Sequence, residues 1–312
     1  IEYLIMRLVK ETHIDFMSKT FFASAISATL LIVGLVSIII NGGPKLSIDF
    51  KGGTLVAVNF TESVDINKIR SGMENISIDG QNFDFSKEEI KHFGDNSDVA
   101  IRIPSLDNEP PQFANNVANH LADIYPELVP ELQSNFILSI EKVGPKVGSE
   151  LSGDAILAIL SALGLILIYI SIRFEFKFAV GAIAALTHDV LITLGIFSLL
   201  DYEISLAVIA AFLTIVGYSL NDTIVIFDRV RENMKSLKSS NLTSVINQSI
   251  NESLSRTIVT SLTTFVVVLI LFLVGGEVIH TFSFAMIIGV IVGTYSSIFV
   301  ASPVVIKIGN NS

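Results

Sequence analysis

The chain of 312 residues is 51% hydrophobic and only 16% charged, and its mean hydropathy of +0.65 excludes an ordinary water-soluble protein. It contains no cysteine, which excludes disulfides and thiolate-bound metals. The net charge of −10 is concentrated in residues 41–150, which hold 17 acidic and 9 basic residues against 13 and 11 in the remainder. This acidic balance argues against a nucleic-acid partner.

Six apolar runs are long enough to cross the hydrocarbon core of a bilayer, which takes about 20 helical residues. They predict a polytopic α-helical membrane protein with six transmembrane helices. The first, over 21–40, is interpreted as an uncleaved span that follows a cytoplasmic segment 1–20, and the other five lie together within 151–312. The six runs are residues 21–40, 155–172, 178–200, 204–227, 257–276 and 281–306.

Lysine and arginine are distributed unevenly among the loops. They lie before the first span, between the second and third, and after the fourth and sixth, whereas the alternate short loops contain only Asp201, Glu203, Glu277 and His280 as ionisable residues. The positive-inside rule therefore predicts two cytoplasmic termini and an exterior location for residues 41–150. The basic residues in question are Arg7, Lys10, Lys19, Arg173, Lys177, Arg229, Arg231, Lys235, Lys238 and Lys307.

Residues 41–150 are predicted to form a small α+β domain between the first two spans. Alternating apolar residues indicate strands, and helical periodicity with proline or Ser/Asp starts indicates two helices. Strands separated by two helices favour an open-faced sheet with helices on one side. The polar stretch 75–97 is interpreted as a loop. The predicted elements are strands at 53–60, 98–103 and 135–143 and helices at 63–73 and 110–125.

The segment "NLTSVINQSINESLSRT" (241–257) has an apolar face and a polar face. This pattern predicts a short amphipathic helix near 241–255 that lies on the cytoplasmic surface of the membrane. A plain soluble connecting helix fits the pattern equally well. The apolar face contains Leu242, Val245, Ile246, Ile250 and Leu254.

The stretch "VGYSLNDTIVIFDRVREN" (216–233) contains a carboxylate within an apolar run. Asp222 lies five residues before Phe227, roughly 7 Å inside the cytoplasmic end of its helix at 1.5 Å per residue. A charge at a helix centre costs about 2.5–3.5 kcal/mol on insertion scales. Its helical face is small and polar, which predicts that Asp222 faces neighbouring helices, although a structural hydrogen-bonding role or a position at the interface is the alternative. The predicted inner face contains Ala207, Ala211, Thr214, Tyr218 and Asn221, and the predicted lipid face Leu206, Ile209, Leu213 and Leu220.

Two further sites place ionisable groups in or near spans. Arg256 begins the fifth span, which runs antiparallel to the fourth, so an ion pair with Asp222 is available; an ordinary interfacial arginine is the alternative. Thr260 follows Arg256 on the same face. His188 and Asp189 lie side by side in the middle of the third span. Such pairs occur in proton paths, and a polar pair that only fixes helix packing is equally compatible.

Four motifs together resemble those of the SecF subunits of the bacterial SecD/SecF family, in the family's order and spacing and nearly end to end. The third motif is long and specific. In the first, Lys51 stands where the family often has threonine, but both glycines are present. The motifs are "DFKGG" (49–53), "VGPKVGSEL" (143–151), "GYSLNDTIVIFDRVREN" (217–233) and "LSRTIVTSLTT" (254–264).

The resemblance implies a bundle like those of RND transporters, paired with SecD in a twelve-span unit of the bacterial inner membrane, with residues 41–150 in the periplasm. It also implies attachment to the SecYEG channel, with YajC and YidC, and use of the proton-motive force to draw unfolded polypeptides outward. The intramembrane Asp and Arg tied to proton flow in such complexes correspond to Asp222 and Arg256. Asp189, beside His188, matches a polar position of the third span. The residues expected to pack helices around the site are Gly217, Tyr218, Asn221 and Thr260.

Three other functions remain to be weighed. An RND-type exporter of small molecules or lipids usually has two large exterior domains, whereas this chain has one. An intramembrane aspartyl protease would use Asp189 and Asp222 as a proton-sharing pair, but Asp222 lacks the expected Gly-x-Gly context. A purely structural clamp on the translocon would not depend on the charge of Asp222. No phosphate loop, metal-spaced histidine cluster or Ser/His/Asp arrangement occurs, so we expect neither enzymatic activity nor a cofactor.

Overall fold

The computed structural model describes residues 12–106, 109–132, 135–236 and 241–309. The chain divides into two compact units. The first, here called the membrane unit, comprises Ile1–Lys45 and Leu157–Ser312, and the second, the α+β unit, comprises Leu46–Ile156. Three residues used above to predict orientation lie outside the described residues, namely Arg7, Lys10 and Lys238.

Ten helices and six strands are described, with short 3₁₀ turns at Met17–Lys19 and Pro126–Leu128. In chain order they are α1 (Thr20–Ile40), α2 (Ile48–Lys51), β1 (Gly53–Asn59), α3 (Ile66–Gly72), β2 (Ile76–Ile78), β3 (Gln81–Phe83), β4 (Glu89–Phe93), β5 (Asp95–Ile103), α4 (Phe113–Ile124), β6 (Ile137–Val143), α5 (Pro145–Arg173), α6 (Phe176–Leu199), α7 (Leu206–Ser236), α8 (Leu242–Val274), α9 (Glu277–Ser296) and α10 (Ser302–Gly309). A π-helical turn, Ser297–Ala301, joins α9 to α10.

Six helical segments are long and apolar enough to cross a membrane, which confirms the predicted six-span fold. They are α1, α5, α6, α7, α8 and the combined α9–α10 segment. The most apolar window of α6, α7 and α9–α10 is 50–56% buried, against 11–22% for α1, α5 and α8. The third, fourth and sixth spans therefore form the centre of the membrane unit, where an ionisable side chain is farthest from solvent.

Small residues allow close approach between these helices. A Cβ atom added to Gly34 of α1 would lie 2.7 Å from the Cα of Gly195 in α6. Additions at Gly289 and Gly293 of α9 would meet Ile215 and Ser219 of α7 at 2.3 and 2.9 Å. The "GVIVG" pattern (289–293) thus packs α9 directly onto α7, as small residues four apart do in membrane helices.

The interfacial helix predicted near 241–255 is not a separate element. It is the first part of α8, which continues without a break to Val274. Its apolar side chains, Val245, Ile246 and Ile250, are 1–2% exposed and belong to the core of the membrane unit. The sequence left open whether this helix lies on the membrane surface, because a pattern does not reveal what covers an apolar face; here protein covers it.

The α+β unit contains a four-stranded antiparallel sheet in the order β4-β5-β1-β6. Helices α3 and α4 contribute to one large core against this sheet, whose biggest fully buried side chains include Phe60, Ile69, Phe113, Leu121 and Phe136. The three predicted strands and two predicted helices are present, which confirms the α+β class.

The loop predicted over 75–97 is wrong, since the stretch holds β2, β3, β4 and the start of β5. The turn between β2 and β3 is formed by Asp79 and Gly80, both with positive φ (49° and 78°). Asp-Gly is a preferred pair for a two-residue hairpin, and that signal was missed because polar residues on the exposed faces of short strands mask their alternation.

The first two family motifs contact each other within the α+β unit. Gly52 ends α2 with φ +73°, and Gly53 starts β1 with φ +133°. A Cβ atom on Gly53 would lie 2.5 Å from the Ile103 carbonyl oxygen, and one on Gly148 would lie 2.8 Å from that of Phe50. Both "DFKGG" and "VGPKVGSEL" therefore require glycine where backbone meets backbone.

Candidate functional site

Asp222 lies near the middle of α7 and is 2% exposed. Its Oδ2 atom is 3.3 Å from Ser261 Oγ of α8, in hydrogen-bonding geometry. Ser261 Oγ is in turn 2.7 Å from Thr294 Oγ1 of α9, and Thr294 donates to the carbonyl of Val290 at 2.7 Å. Three spans thus meet at this carboxylate through two hydroxyl groups.

Arg256 lies one to two turns before Ser261 on α8 and is exposed in this chain. Within the described residues, no ion pair joins it to Asp222; its charge acts on the carboxylate across space, and Thr260 lies within reach of the same group. The structure therefore brings the predicted Asp–Arg partners near each other without the direct contact that the sequence suggested.

The predicted inner and lipid faces of α7 agree only in part with the burial within this chain. Leu220, assigned to lipid, is 9% exposed, while Thr214, Gly217 and Asn221 are exposed. Successive residues lie about 100° apart around a helix, so Asp222 occupies the edge of the buried face and the polar residues beside it turn outward. A Cβ atom on Gly217 would touch nothing within 4 Å. No described helix of this chain packs on Gly217 or Asn221 as predicted.

Two buried hydroxyls near Asp222 have no hydrogen-bond partner among the described residues: Tyr218 Oη and Thr257 Oγ1. Tyr218 precedes Asp222 by one turn of α7, and Thr257 precedes Ser261 by one turn of α8. Because α7 and α8 are antiparallel, these hydroxyls lie on opposite sides of the carboxylate along the helix axes. Buried polar groups are normally paired, so both have capacity for a water molecule or a mobile partner. Thr257 was not identified from the sequence.

Asp189, on α6, is fully buried and surrounded by donors. His188 Nδ1 lies 2.9 Å from its Oδ1, while Ser219 Oγ of α7 and Ser296 Oγ of α9 donate to its Oδ2 at 2.6 and 2.8 Å. Two partners of this carboxylate thus come from other central helices, and α1 adds Ser27, whose Oγ is 3.0 Å from His188 Nε2.

The two buried carboxylates have separate partners. Asp189 bonds to Ser219 and Ser296, whereas Asp222 contacts Ser261. The described side chains therefore give no support to the proton-sharing aspartyl pair of an intramembrane protease.

Six spans, a small α+β unit between the first two, and carboxylates buried in the central helices define a polytopic membrane protein of the transport type. The model of the family described as "Protein export membrane protein SecD/SecF, C-terminal" matches residues 127–311. Protein translocase subunit SecF of Calditerrivibrio nitroreducens is 45% identical over 305 residues, covering 96% of each chain. SecF of Haemophilus influenzae is 40% identical over 295 residues, covering 95% of this chain and 86% of the relative.

Among solved structures, SecDF from Thermus thermophilus, described as a translocon-associated membrane protein, matches with a TM-score of 0.84 and 36% identity. The match covers 96% of this chain but only 39% of that longer one. The chain belongs to the SecF branch of the SecD/SecF family of protein-export membrane proteins.

Proposed function

We propose that this chain works with SecD in the bacterial inner membrane and that Asp222 binds and releases the protons whose flow promotes protein export. The observation that carries this proposal is the arrangement of Asp222 with two hydroxyls. Of the two carboxylates buried in the central spans, Asp189 accepts two close hydrogen bonds from serines, whereas the hydrogen bond described for Asp222 is a long one, to Ser261.

The supply of hydroxyl hydrogens around Ser261 supports a contact that can serve both charge states of Asp222. A hydroxyl has one hydrogen to donate. Thr294 gives its hydrogen to the Val290 carbonyl, so Ser261 supplies the one in its 2.7 Å contact with Thr294. In that arrangement Ser261 has no hydrogen left for Asp222, and the 3.3 Å contact is a hydrogen bond that protonated Asp222 would donate.

When Asp222 is ionised, the hydroxyls can reverse. Ser261 then donates to the carboxylate, and Thr294 donates to Ser261 after leaving the Val290 carbonyl. Proton loading and release at Asp222 are thereby linked to a rearrangement between α7, α8 and α9. Arg256 favours the ionised state through its positive charge, and the unpartnered hydroxyls of Tyr218 and Thr257 offer water positions on the two sides of the carboxylate.

A SecD partner would cover the polar surface beside the site. Thr214, Gly217 and Asn221 of α7 and Arg256 and Thr263 of α8 are exposed at membrane-spanning positions. Polar side chains within a bilayer face protein or water rather than lipid, and this chain matches 39% of the length of SecDF. The complex would attach to SecYEG, with YajC and YidC, and act on unfolded polypeptides without enzymatic catalysis of its own.

The variant Asp222→Asn tests the proton role because it keeps the shape of the side chain but cannot ionise. We expect normal insertion and normal association with SecD, loss of the export that depends on the proton-motive force, and persistence of the export driven by ATP alone. Asp201→Asn, an exposed loop carboxylate paired with Lys45, is the matched control and should behave as wild type. Full proton-driven export by Asp222→Asn would instead support the structural-clamp function.

The proposed orientation places both termini in the cytoplasm and residues 41–150 in the periplasm. Because the chain has no cysteine, single cysteines at Asp79 and Lys235 report sidedness directly. A membrane-impermeant thiol reagent added to intact spheroplasts should label position 79 and not position 235 until the membrane is opened. Labelling of both from the same side contradicts the orientation.

A further inference from the structure

We infer that His188 and Asp189 form a hydrogen-bonded pair that shares one proton and has no path for releasing it, here called the lock. The lock positions the central helices around Asp222 and does not itself carry transported protons. The sequence is compatible both with a proton-coupling pair and with a pair that only fixes helix packing, and the hydrogen-bond directions of the network favour the second role. The inference rests on the proposed function only through its export readout.

On the α1 side, the hydrogen bonds form a series from His188 through Ser27 and Tyr295 to the Ala23 carbonyl. The direction of each follows from the last bond of that series. Tyr295 donates its only hydroxyl hydrogen to the backbone carbonyl of Ala23 at 2.6 Å. In its 2.9 Å contact with Ser27, Tyr295 must therefore accept, and Ser27 must donate. Ser27 then has only acceptor capacity left, so His188 Nε2 carries a hydrogen and donates it across 3.0 Å.

On the other side, the Oδ2 atom of Asp189 receives hydrogens from Ser219 and Ser296. The 2.9 Å contact between Asp189 Oδ1 and His188 Nδ1 needs one further hydrogen, which resides on either atom. With it on nitrogen the two groups are an ion pair, and with it on oxygen both are neutral; in each case the pair as a whole has no net charge. This shared proton can therefore lie on either His188 Nδ1 or Asp189 Oδ1.

The side chains of the described residues also give this network no exit for that proton. The chain His188–Ser27–Tyr295 ends on the Ala23 carbonyl, which accepts a hydrogen bond but cannot pass on a proton. Removing the shared proton would leave a fully buried charge facing the lone pair of Nδ1, which is costly in a low-dielectric interior. The geometry is therefore that of a satisfied and closed cluster.

Two of the helices that the lock joins, α7 and α9, also build the Asp222 site. Ser219 precedes Asp222 by three residues on α7, and Thr223 donates to the Ser219 carbonyl in the same turn. Ser296 follows Thr294 by two residues on α9, just before the π-helical turn. The Asp189 carboxylate consequently fixes α7 against α9 about one turn from the place where Ser261 and Thr294 approach Asp222.

Asparagine and leucine at position 189 separate the two roles. Asparagine can accept from both serines through its oxygen and donate to His188 Nδ1 through its amide, so it rebuilds the neutral form of the lock without an ionisable proton. Leucine has similar size and no hydrogen-bonding group. We expect proton-driven export by Asp189→Asn to equal that of wild type, and export by Asp189→Leu to fall several-fold, with a lower midpoint of thermal unfolding in detergent.

If Asp189→Leu does not insert, the double variant Ser219→Ala/Ser296→Ala removes the ties to α7 and α9 and leaves the His–Asp pair in place. It should insert and bind SecD, yet lose proton-driven export several-fold. Loss of export by a well-folded Asp189→Asn would overturn the lock and make the pair a proton carrier. Normal export by the double serine variant would overturn the positioning role. Full export by Asp222→Asn would reject the proposed function but not the lock. The expected difference in thermal stability between Asp189→Asn and Asp189→Leu does not depend on a proton role of Asp222.

Discussion

Asp189 and Asp222 are both buried carboxylates of central spans, but their surroundings differ. Asp189 accepts from Ser219 and Ser296 at 2.6 and 2.8 Å and lies 2.9 Å from His188 Nδ1, whereas the side-chain hydrogen bond described for Asp222 is 3.3 Å long. In the proposed roles, the well-supplied carboxylate holds its helices in one arrangement, and the sparsely supplied one permits the rearrangement that a coupling device requires. The two proposed roles therefore rest on the difference in hydrogen-bond donors and not on burial, which the two carboxylates share.

Among the variants that test this difference between Asp189 and Asp222, the largest loss of proton-driven export is expected for Arg256→Met. Arg256→Met removes the charge that favours ionised Asp222, and proton-driven export should be lost about as fully as in Asp222→Asn. Because both residues act in one unit, the double variant should be little worse than either single variant. Export assays on inverted vesicles at a fixed proton-motive force measure this. Additive losses would mean that the two residues act independently.

A smaller effect should distinguish the serines at the two carboxylates. Ser219→Ala leaves a fully buried carboxylate oxygen short of a donor, which costs about 1–3 kcal/mol. Ser261→Ala removes a long contact, and hydrogen bonds between membrane helices average about 0.6 kcal/mol. Thermal unfolding of the purified protein in detergent should therefore show a clearly larger decrease for Ser219→Ala. Equal decreases would remove the distinction between a tightly and a loosely held carboxylate.

The six spans and the α+β class could be predicted because run length and strand alternation are local properties of the sequence. The continuity of α8 could not be predicted, because the apolar side chains of Val245 and Ile250 are compatible with contact to lipid and with contact to protein. Likewise, the sequence signal for the β2–β3 hairpin is confined to the two residues of its turn, Asp79 and Gly80, and is easily overlooked.

For the candidate site, the sequence identified the ionisable residues because charges are rare and costly in spans. It did not identify the partners Ser219, Ser261 and Thr294. Single hydroxyls are common in membrane helices and often bond to the carbonyl four residues earlier, as Thr294 does with Val290. Only the three-dimensional approach of the helices shows which hydroxyl meets a carboxylate.

The smallest predicted effect concerns Glu88, a carboxylate of the α+β unit. It can be compared with the two buried carboxylates of the membrane spans. Partial burial raises the pKa of Glu88 above its ordinary value, and the negative charge of Asp84 raises it further. A raised folded-state pKa means that protonated Glu88 favours the folded state at low pH, and that this contribution is lost as the pH rises through the folded pKa. Ionised Glu88 is thus mildly unfavourable at neutral pH.

Glu88→Gln should therefore make residues 44–148, expressed alone, slightly more stable at pH 7, and the gain should vanish below the ordinary pKa of glutamate. Thermal melts of both forms between pH 3 and pH 8, roughly one unit or more either side of that value, measure the difference. Glu62→Gln, at an exposed position of the same unit, is the matched control and should show no such trend. A gain for Glu88→Gln that persists at the lowest pH would come from packing rather than charge. A gain that follows the pH would show that here, unlike at Asp189, partial burial without compensating donors makes a carboxylate a cost to the folded state.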